Sequence, residues 1–264
     1  MNLGLEGKVA VVSGGGRKDG IGWATIKELI EAGAKVLMGD IEIDPAYEEL
    51  TGDGAVEVEK IDLSQAGNPE RLVDRAIERF GKLDILINNL GVTIFRPGFL
   101  ETTDDHWDMI FRTNFMSNVR ASRTALPHLI ESKGVIVNLA SSLGTTPVPS
   151  LVDYSAFKSA VLNLTKTLSE EFSPQGVRVV AISPGAVLTP HWTRPGGALE
   201  MMAQEQGVDV ETMKAEIPKM FGMTTGRMVW PEEIAAAICF AASNRVGSLT
   251  GTALSVDGGS VKTL

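Results

Sequence analysis

The stretch KVAVVSGGGRKDGIGWATIKELI, residues 8–30, runs from a short apolar segment through five glycines into an amphipathic pattern. The apolar part has the length and valine content of a buried strand, and the second half repeats apolar residues at helical spacing. A strand that ends in a glycine-rich turn and opens a helix can bind a phosphate, because backbone N–H groups at the helix N-terminus face the anion. This stretch therefore predicts a βαβ unit with a nucleotide site.

Six more short apolar runs follow, and amphipathic helical patterns lie between most of them. Several runs are almost continuous in Val, Ile and Leu, which is typical of strands buried on both faces of a parallel sheet. Strands that alternate with helices indicate a doubly wound α/β fold. We therefore expect a single Rossmann-type domain over residues 1–264, with a parallel sheet of about seven strands and helices on both faces. The expected strands are KVAVVS (8–13), KVLMGD (35–40), VEVEKID (56–62), LDILIN (83–88), GVIVNLA (134–140), VRVVAIS (177–183) and TALSVD (252–257).

One segment, residues 186–230, interrupts this alternation, because no strand pattern occurs between Pro184 and Pro231. A long excursion without sheet structure inside a compact domain is commonly an active-site lid, so we expect a substrate lid here. Six of the ten methionines lie in this segment, and their flexible side chains can adapt to apolar ligands. Two short helices that pack a small core of their own are the alternative, and both descriptions can hold together.

The charge and composition of the chain exclude several functions. A formal net charge of −9 makes nucleic acid and anionic membranes poor partners, and a small-molecule substrate is expected instead. Cys239 is the only cysteine and the three histidines are far apart, so we expect no disulfide and no bound metal. No apolar run is long enough to span a membrane, and the first residues do not resemble a secretory signal, which favours a cytoplasmic protein.

The segment YSAFK, Tyr154 to Lys158, has the spacing of a cooperating phenol and ammonium. On a helix, residues four apart lie on one face, so the two groups can reach the same site. The pKa of an ordinary tyrosine is about 10, and a nearby lysine cation would lower it. A surface coincidence would give the same spacing, but Tyr154 is one of only two tyrosines in the chain.

Across nearly its whole length, the sequence resembles the short-chain dehydrogenase/reductase family, in particular its short branch with a Tyr-x-x-x-Lys pair. The motifs that carry the resemblance occur in the family's order at workable spacings. They are the glycine loop (13–22), Asp40, Asp62-Leu63, NNLG (88–91), Asn114, Ser141, YSAFK (154–158), PGAVLT (184–189) and VDGG (256–259). Leu90 departs from the pattern, since the family commonly has Ala at this position.

The glycine loop departs from the pattern as well. The family's loop is commonly T-G-x-x-x-G-x-G, and aligning Ser13 and Gly14 with its Thr-Gly leaves two extra residues before Gly20. Aligning Gly16 with the first glycine restores the spacing but puts another glycine at the position of the threonine. The end of the predicted strand favours the first alignment, with the loop enlarged around residues 17–19.

The resemblance implies a catalytic set of four residues, Asn114, Ser141, Tyr154 and Lys158. Tyr154 would give or take the hydroxyl proton of the substrate, while Lys158 would lower the pKa of that phenol and bind the nicotinamide ribose. Ser141 would hydrogen-bond the substrate oxygen. Asn114 would hold a water in the proton relay.

The resemblance also implies a dinucleotide cofactor. Asp40 closes the second strand, where a carboxylate accepts hydrogen bonds from the adenosine ribose and repels a 2′-phosphate, which favours NAD. Arg17 and Lys18 would suit that phosphate, so NADP stays open as the alternative. The implied cofactor contacts are Ser13, Gly14, Gly16, Gly20, Ile21, Gly22, Asp40, Asp62, Leu63, Asn89, Gly91, Tyr154, Lys158, Pro184, Gly185, Val187 and Thr189.

The implied reaction is hydride transfer between the nicotinamide and a secondary alcohol or ketone. Ser141, His191 and Trp192 are the expected substrate contacts, and together with the lid they favour an apolar or ring-bearing substrate. A 3-oxoacyl thioester reductase is the alternative enzyme. An NAD-sensing binding protein is the non-enzymatic alternative, but it predicts loss of catalytic residues, and all four are present.

Two further expectations follow from the same resemblance. The enoyl reductases, a divergent branch of this fold, place their tyrosine seven positions before the lysine, and here that position is Leu151. Relatives assemble as homotetramers through two long helices, which we expect over residues 104–130 and 151–172.

Overall fold

The computed structural model describes residues 2–52 and 54–263 and contains a seven-stranded sheet in the order β3-β2-β1-β4-β5-β6-β7. Every neighbouring pair of strands is parallel, which confirms the α/β fold. All seven strands form at the predicted runs. They are β1 (Val9–Ser13), β2 (Lys35–Asp40), β3 (Val56–Lys60), β4 (Ile85–Asn88), β5 (Val135–Leu139), β6 (Arg178–Pro184) and β7 (Ala253–Val256).

Helices cover both faces of the sheet. They are α1 (Ile21–Glu31), α2 (Asn68–Phe80), α3 (Asp104–Ile110), α4 (Ser117–Ser132), α5 (Val152–Phe172), α6 (Pro190–Thr193), α7 (Ala198–Gln206), α8 (Val210–Met220) and α9 (Pro231–Ala242). α1 and α9 pack on one face, where Val12 of β1 lies, and α2 and α4 pack on the other, where Val11 lies. The central strands are therefore apolar on both sides, whereas the edge strand β3 carries Glu57 and Glu59 and is only partly buried. None of these described helices is long and apolar enough to cross a membrane.

The order of the strands reverses at β1, because β2 and β3 lie on one side of it and the later strands lie on the other. In open α/β sheets, ligands bind at the carboxyl ends of the strands beside such a reversal. The loops that follow β1 and β4 meet at this edge of the sheet, which therefore positions the site.

All of residues 186–230 are described, and they contain no strand. A backbone bridge between Val187 and Val229 brings the two ends of this segment together. None of the six methionines lines the cavity described below, and α6 to α8 share the core of the α1 face instead of packing a separate one, while the role of this segment as a substrate lid stays a prediction. Three of the methionines are buried in that core, namely Met213, Met223 and Met228.

Candidate active site

The glycine loop turns sharply between β1 and α1. Gly14 and Gly15 have positive φ angles of 73° and 145°. A Cβ atom at Gly22 would lie 2.4 Å from the carbonyl oxygen of Gly14, so only glycine fits there. Because Gly14 meets Gly22 directly, the alignment through Ser13 and Gly14 agrees with the structure, and residues 17–19 form the enlarged part of the loop.

Two side chains, at the end of β2 and just beyond it, hold the loop in place. The Oδ2 atom of Asp40 accepts hydrogen bonds from the backbone N–H groups of Gly15 and Gly16, at 2.8 and 2.9 Å. The phenol of Tyr47 donates to the carbonyl oxygen of Gly15 at 2.7 Å, and its ring packs edge-on against Trp23. Sequence reasoning missed Tyr47, and the only signal was that the chain has just two tyrosines.

The turn after β4 is tied to the same loop. The side-chain amide of Asn89 donates to the carbonyl oxygen of Gly14 at 2.8 Å. The hydroxyl of Ser13 accepts a hydrogen bond from the N–H of Leu90 at 3.3 Å. The carboxyl ends of β1 and β4 thus form one continuous surface, and the predicted residues of both motifs are brought together.

Tyr154 and Lys158 lie one turn apart on α5, beside the carboxyl end of β5. The ammonium of Lys158 is almost fully buried and donates to the carbonyl oxygen of Leu139 at 2.6 Å. It lies 5.5 Å from the centre of the Tyr154 ring. Burial lowers the pKa of Lys158 to about 8, so this side chain is mainly a cation at neutral pH. The predicted pair is therefore assembled in one site.

The pKa of the Tyr154 phenol differs from the expectation. Burial raises this pKa above its usual value of 10.0, and hydrogen bonds with the hydroxyls of Ser141 and Thr93 oppose the rise. The lowering that we expected from Lys158 does not prevail, because burial disfavours the charged phenolate. Ser141 lies beside the phenol as its motif predicts, whereas Thr93 is a contact that sequence reasoning missed.

Asn114 lies in one turn of π-helix, Phe111–Met116, which joins α3 to α4. Such turns are frequent at functional sites. The side chain of Asn114 exchanges two hydrogen bonds with the backbone of Val92: it accepts from the N–H at 2.9 Å and donates to the carbonyl oxygen at 2.8 Å. Asn114 therefore supports the loop after β4 from behind the cavity wall.

A buried ion pair joins that loop to the first turn of α5. The guanidinium of Arg96 donates twice to Oδ2 of Asp153, at 3.1 and 3.0 Å, and both side chains are buried. Oδ1 of Asp153 accepts a hydrogen bond from the N–H of Tyr154 at 2.9 Å. Sequence reasoning missed this pair, because its partners lie 57 residues apart and no local pattern connects them.

These elements surround a cavity of about 530 Å³ at the carboxyl edge of the sheet. Most of the predicted site residues line it, namely Gly14, Gly20, Ile21, Gly22, Asp40, Asn89, Gly91, Ser141, Tyr154, Lys158, Pro184, Gly185, Val187, Thr189, His191 and Trp192. The others lie outside its wall, namely Ser13, Gly16, Asp62, Leu63 and Asn114. The structure thus brings together segments that are far apart in the sequence.

Asp62 and Leu63, the predicted adenine contacts, follow β3 at the side of this cavity. The carboxylate of Asp62 accepts hydrogen bonds from the backbone N–H and the hydroxyl of Ser64, at 3.0 and 2.7 Å. Leu63 is buried in the core of the α2 face. Their contact with a cofactor stays a prediction.

The cavity has the chemistry that a nicotinamide dinucleotide requires. A lysine ammonium has three donors, and Lys158 uses one of them on Leu139, so within the described part of the chain two are free for ribose hydroxyls. The N-terminus of α1 follows the glycine loop directly and has neither a side-chain cap nor an acidic first turn, so its N–H groups can face a phosphate. The residues present therefore fit this cofactor.

Comparison with known proteins agrees with this geometry. A family model described as enoyl-(acyl carrier protein) reductase matches residues 14–261. A 4-formylbenzenesulfonate dehydrogenase of Comamonas testosteroni is 35% identical, covering 97% of this chain and 99% of that protein. A 3-oxoacyl-acyl-carrier-protein reductase of Thermotoga maritima is 30% identical, covering 97% and 99%. The crystal structure of L-sorbose reductase from Gluconobacter frateurii, complexed with NADPH and L-sorbose, gives a TM-score of 0.91 at 28% identity over the full length of both chains.

The parallel sheet with a glycine turn and a Tyr–Lys pair at its carboxyl edge, together with the likeness to these dehydrogenases and reductases, defines a pyridine-nucleotide oxidoreductase. The chain belongs to the short-chain dehydrogenase/reductase family, as its motifs predicted. Leu151 stands seven positions before Lys158, so the phenol that meets this lysine is that of Tyr154 and not one at the enoyl-reductase position.

Proposed function

We propose that this protein is an NAD-dependent oxidoreductase that transfers hydride between the nicotinamide and a secondary alcohol or ketone with an apolar or ring-bearing body. The observation that carries the proposal is the meeting of Tyr154, Ser141 and Lys158 in a cavity with apolar walls. The volume of the cavity is in the range of small-molecule sites. Its apolar side chains include Val92, Ile94, Phe95, Leu143, Leu151, Val187, Trp192 and Phe221.

The side chains of the site divide the work of proton transfer. The bound nicotinamide supplies the hydride chemistry. Tyr154 takes the hydroxyl proton during oxidation and returns it during reduction, and Ser141 holds the substrate oxygen against the phenol. The Lys158 cation stabilises the phenolate and offers its two free donors to the ribose. Asn114 lies with Lys158 around Gly91 but behind the cavity wall, where it supports the loop beside this pair; its hold on a water of the proton relay stays a prediction.

The charges at the glycine loop favour NAD over NADP. Asp40 lines the cavity and uses Oδ2 on the loop, while Oδ1 accepts a long hydrogen bond of 3.4 Å from the N–H of Glu42, which leaves one lone pair of Oδ1 for a ribose hydroxyl. Arg17 is paired with Glu42 at 2.7 Å, so its charge is already balanced. Lys18 lies outside the cavity wall. A 2′-phosphate would therefore meet two carboxylates and no free guanidinium from this loop.

A 3-oxoacyl thioester reductase is the second candidate, which the Thermotoga maritima relative favours. A thioester held on an acidic carrier protein would require a basic docking surface, whereas this chain has a net charge of −9. The dehydrogenase of Comamonas testosteroni, which is named for a ring-bearing aldehyde, favours the first candidate.

Steady-state kinetics test the proposal. The protein is supplied with NAD⁺ and α-methylbenzyl alcohol, cyclohexanol or sec-butanol, and in the reverse direction with NADH and an acetoacetyl thioester. We expect the highest kcat/KM for a ring-bearing alcohol. Tyr154→Phe should lower kcat by roughly a thousandfold, far more than it changes the Kd for NADH, because the phenol transfers the proton. Faster turnover of the thioester would favour the second candidate.

Fluorescence titration with NADH and NADPH tests the cofactor preference. Glu42→Gln releases Arg17 from its ion pair, so it should lower the Kd for NADPH roughly fivefold without changing the Kd for NADH. Glu48→Gln, which removes the same charge from an exposed position nearby, is the matched control. Tighter binding of NADPH than of NADH by the wild type would overturn the preference for NAD.

A further inference from the structure

An unbalanced cation lies at the mouth of the cavity. Arg194 directly follows α6 and lines the cavity. Within the described part of the chain, no carboxylate or other acceptor contacts its guanidinium. The two carboxylates of the cavity are engaged elsewhere, since Asp40 binds the glycine loop and Glu42 pairs with Arg17. Arg194 is exposed, so water can solvate its guanidinium, and its place in the cavity wall makes this positive charge available to an anionic ligand.

His191 is a second unsatisfied group on the same wall. Its Nε2 atom is buried and has no hydrogen-bond partner among the residues that the structure describes. Burial lowers the pKa of His191, and the positive charges of Arg194 and Arg17 lower it further, so its ring is neutral at neutral pH and lies close to both guanidiniums. Because Nε2 has almost no accessible surface, a ligand can bond to it only when the ring of His191, which lines the cavity, turns this atom toward the cavity.

The cavity also has an aromatic wall next to these groups. Trp192 follows His191, and its ring contacts those of His191 and Phe221 edge-on, with 5.8 and 6.0 Å between ring centres. One cavity thus combines the hydroxyl-binding pair of Ser141 and Tyr154, an aromatic surface and a cationic rim. A ligand that uses all three has a carbinol or carbonyl group, a ring and an anionic group.

We propose that the substrate carries a carboxylate or sulfonate on its ring, and that Arg194 and His191 bind this anion at the mouth of the cavity. The inference rests on the proposed function and narrows its substrate class. A guanidinium binds two oxygens of such a group in its plane, which gives both affinity and orientation. An imidazole that carries its hydrogen on Nε2 donates one more bond to the same group.

The pyrophosphate of the cofactor is the other anion that could reach Arg194. The two sources differ in what they predict. If the guanidinium of Arg194 binds the cofactor, its removal raises KM for every substrate equally and raises the Kd for NADH. If it binds the substrate, its removal raises KM for anionic substrates only and leaves the Kd for NADH unchanged.

The test compares para-(hydroxyethyl)benzoate, whose carbinol is secondary, with its neutral methyl ester. Arg194→Gln should raise KM for the benzoate roughly tenfold or more, change KM for the ester less than twofold, and leave the Kd for NADH unchanged. Arg194→Lys keeps the charge and should retain part of the preference. Arg245→Gln, at the opposite edge of the sheet, removes the same charge and should change nothing.

Binding is measured separately from turnover through the fluorescence of Trp192 and the other tryptophans. If the benzoate binds in an Arg194-dependent manner but neither alcohol is oxidised, the anion site stands and the proposed reaction fails. If Arg194→Gln raises the Kd for NADH and weakens the binding of both alcohols equally, Arg194 binds the pyrophosphate of the cofactor and the inference is overturned. Equal affinity of the wild type for the benzoate and the ester, or failure to bind the benzoate at all, overturns it as well.

Discussion

Lys158 carries its charge in a place from which water is almost excluded, with one carbonyl oxygen as its protein partner. Burial of this kind disfavours the charged form, which explains why the pKa of Lys158 is lowered and why that of the neighbouring Tyr154 is raised. The burial of Lys158 and Tyr154 therefore lowers the free energy of unfolding of the protein. At the scale of single residues, this cost can be measured independently of catalysis.

Lys158→Met removes a group whose pKa in the folded state, about 8, lies below the ordinary value of 10.5. The folded state binds this proton less tightly than the unfolded state, so the free energy of unfolding of the wild type rises with pH between those values, by up to about 3 kcal/mol. The variant lacks this rise. The difference in the free energy of unfolding, wild type minus variant, should therefore increase from neutral pH to about pH 10.

Chemical denaturation at a series of pH values measures this difference. Lys166→Met is the matched control, because Lys166 is an exposed lysine on the same helix and should show no such trend. A difference between wild type and Lys158→Met that stays constant across the pH range would contradict the role of burial.

Sequence reasoning reached Tyr154 and Lys158 because helical geometry alone places residues four apart on one face. It could not predict that the pKa of Tyr154 is raised, because this shift depends on how much protein surrounds the phenol. It could not reach the pair of Arg96 and Asp153 either, since its partners meet only after β4 and α5 pack together. Removing either Arg96 or Asp153 is strongly destabilising, because the charge of the other stays buried without a partner. The ion pair also contributes to the position of the Tyr154 phenol, since Asp153 accepts a hydrogen bond from the N–H of Tyr154.

At the scale of secondary-structure elements, the strands could be predicted from the sequence, whereas the segments that connect them could not. A central strand buried on both faces is almost continuously apolar, which made β1, β4, β5 and β6 evident, whereas β3 alternates valine with charged residues. The turn of π-helix at Phe111–Met116 has no such signature, because its hydrogen bonds follow from packing around Asn114 and Val92. The sequence could not show that three of the methionines of residues 186–230 are buried in the core, because composition does not indicate which way a side chain faces.

The glycine loop is held by the segment after β2, and this attachment can be tested at Tyr47. Tyr47→Phe keeps the ring against Trp23 but removes the donor to the carbonyl oxygen of Gly15. Loss of one hydrogen bond of about 1 kcal/mol should loosen the loop and raise the Kd for NADH roughly fivefold.

Thr102→Val is the control for this measurement, because it removes a hydroxyl donor to a backbone carbonyl oxygen, that of Gly98, outside the glycine loop and the cavity wall. Its Kd for NADH should equal that of the wild type. If Tyr47→Phe also binds NADH like the wild type, the loop does not depend on this hydrogen bond.

At the scale of the whole molecule, the homotetramer that the family resemblance implied stays a prediction. The helices expected to form its interface carry a cluster of aromatic rings from α3, the π-turn and α5. The ring centres of Phe111 and Phe157 are 5.4 Å apart, and Phe111 is 37% exposed in the single chain. An apolar ring of this size in water favours burial against a second copy.

Light scattering tests this assembly. We expect a mass of four copies of the 28.2 kDa chain for the wild type, and a smaller assembly for Phe111→Asp, since a buried carboxylate would oppose association. Phe99→Asp makes the same change at an exposed ring outside these helices and should leave the tetramer intact. A monomeric wild type, or equal behaviour of the two variants, would exclude this interface.

The proposed hydride transfer is tested most directly with α-methylbenzyl alcohol that carries deuterium on its carbinol carbon. Mass spectrometry then shows whether the deuterium reaches the nicotinamide. The wild type should yield labelled NADH and the ketone. Tyr154→Phe should bind the cofactor and form almost no labelled product, because the proton has no acceptor. A wild type that binds NAD⁺ but transfers no deuterium from this alcohol or from any other secondary alcohol supplied would contradict the account and indicate a binding protein that senses NAD.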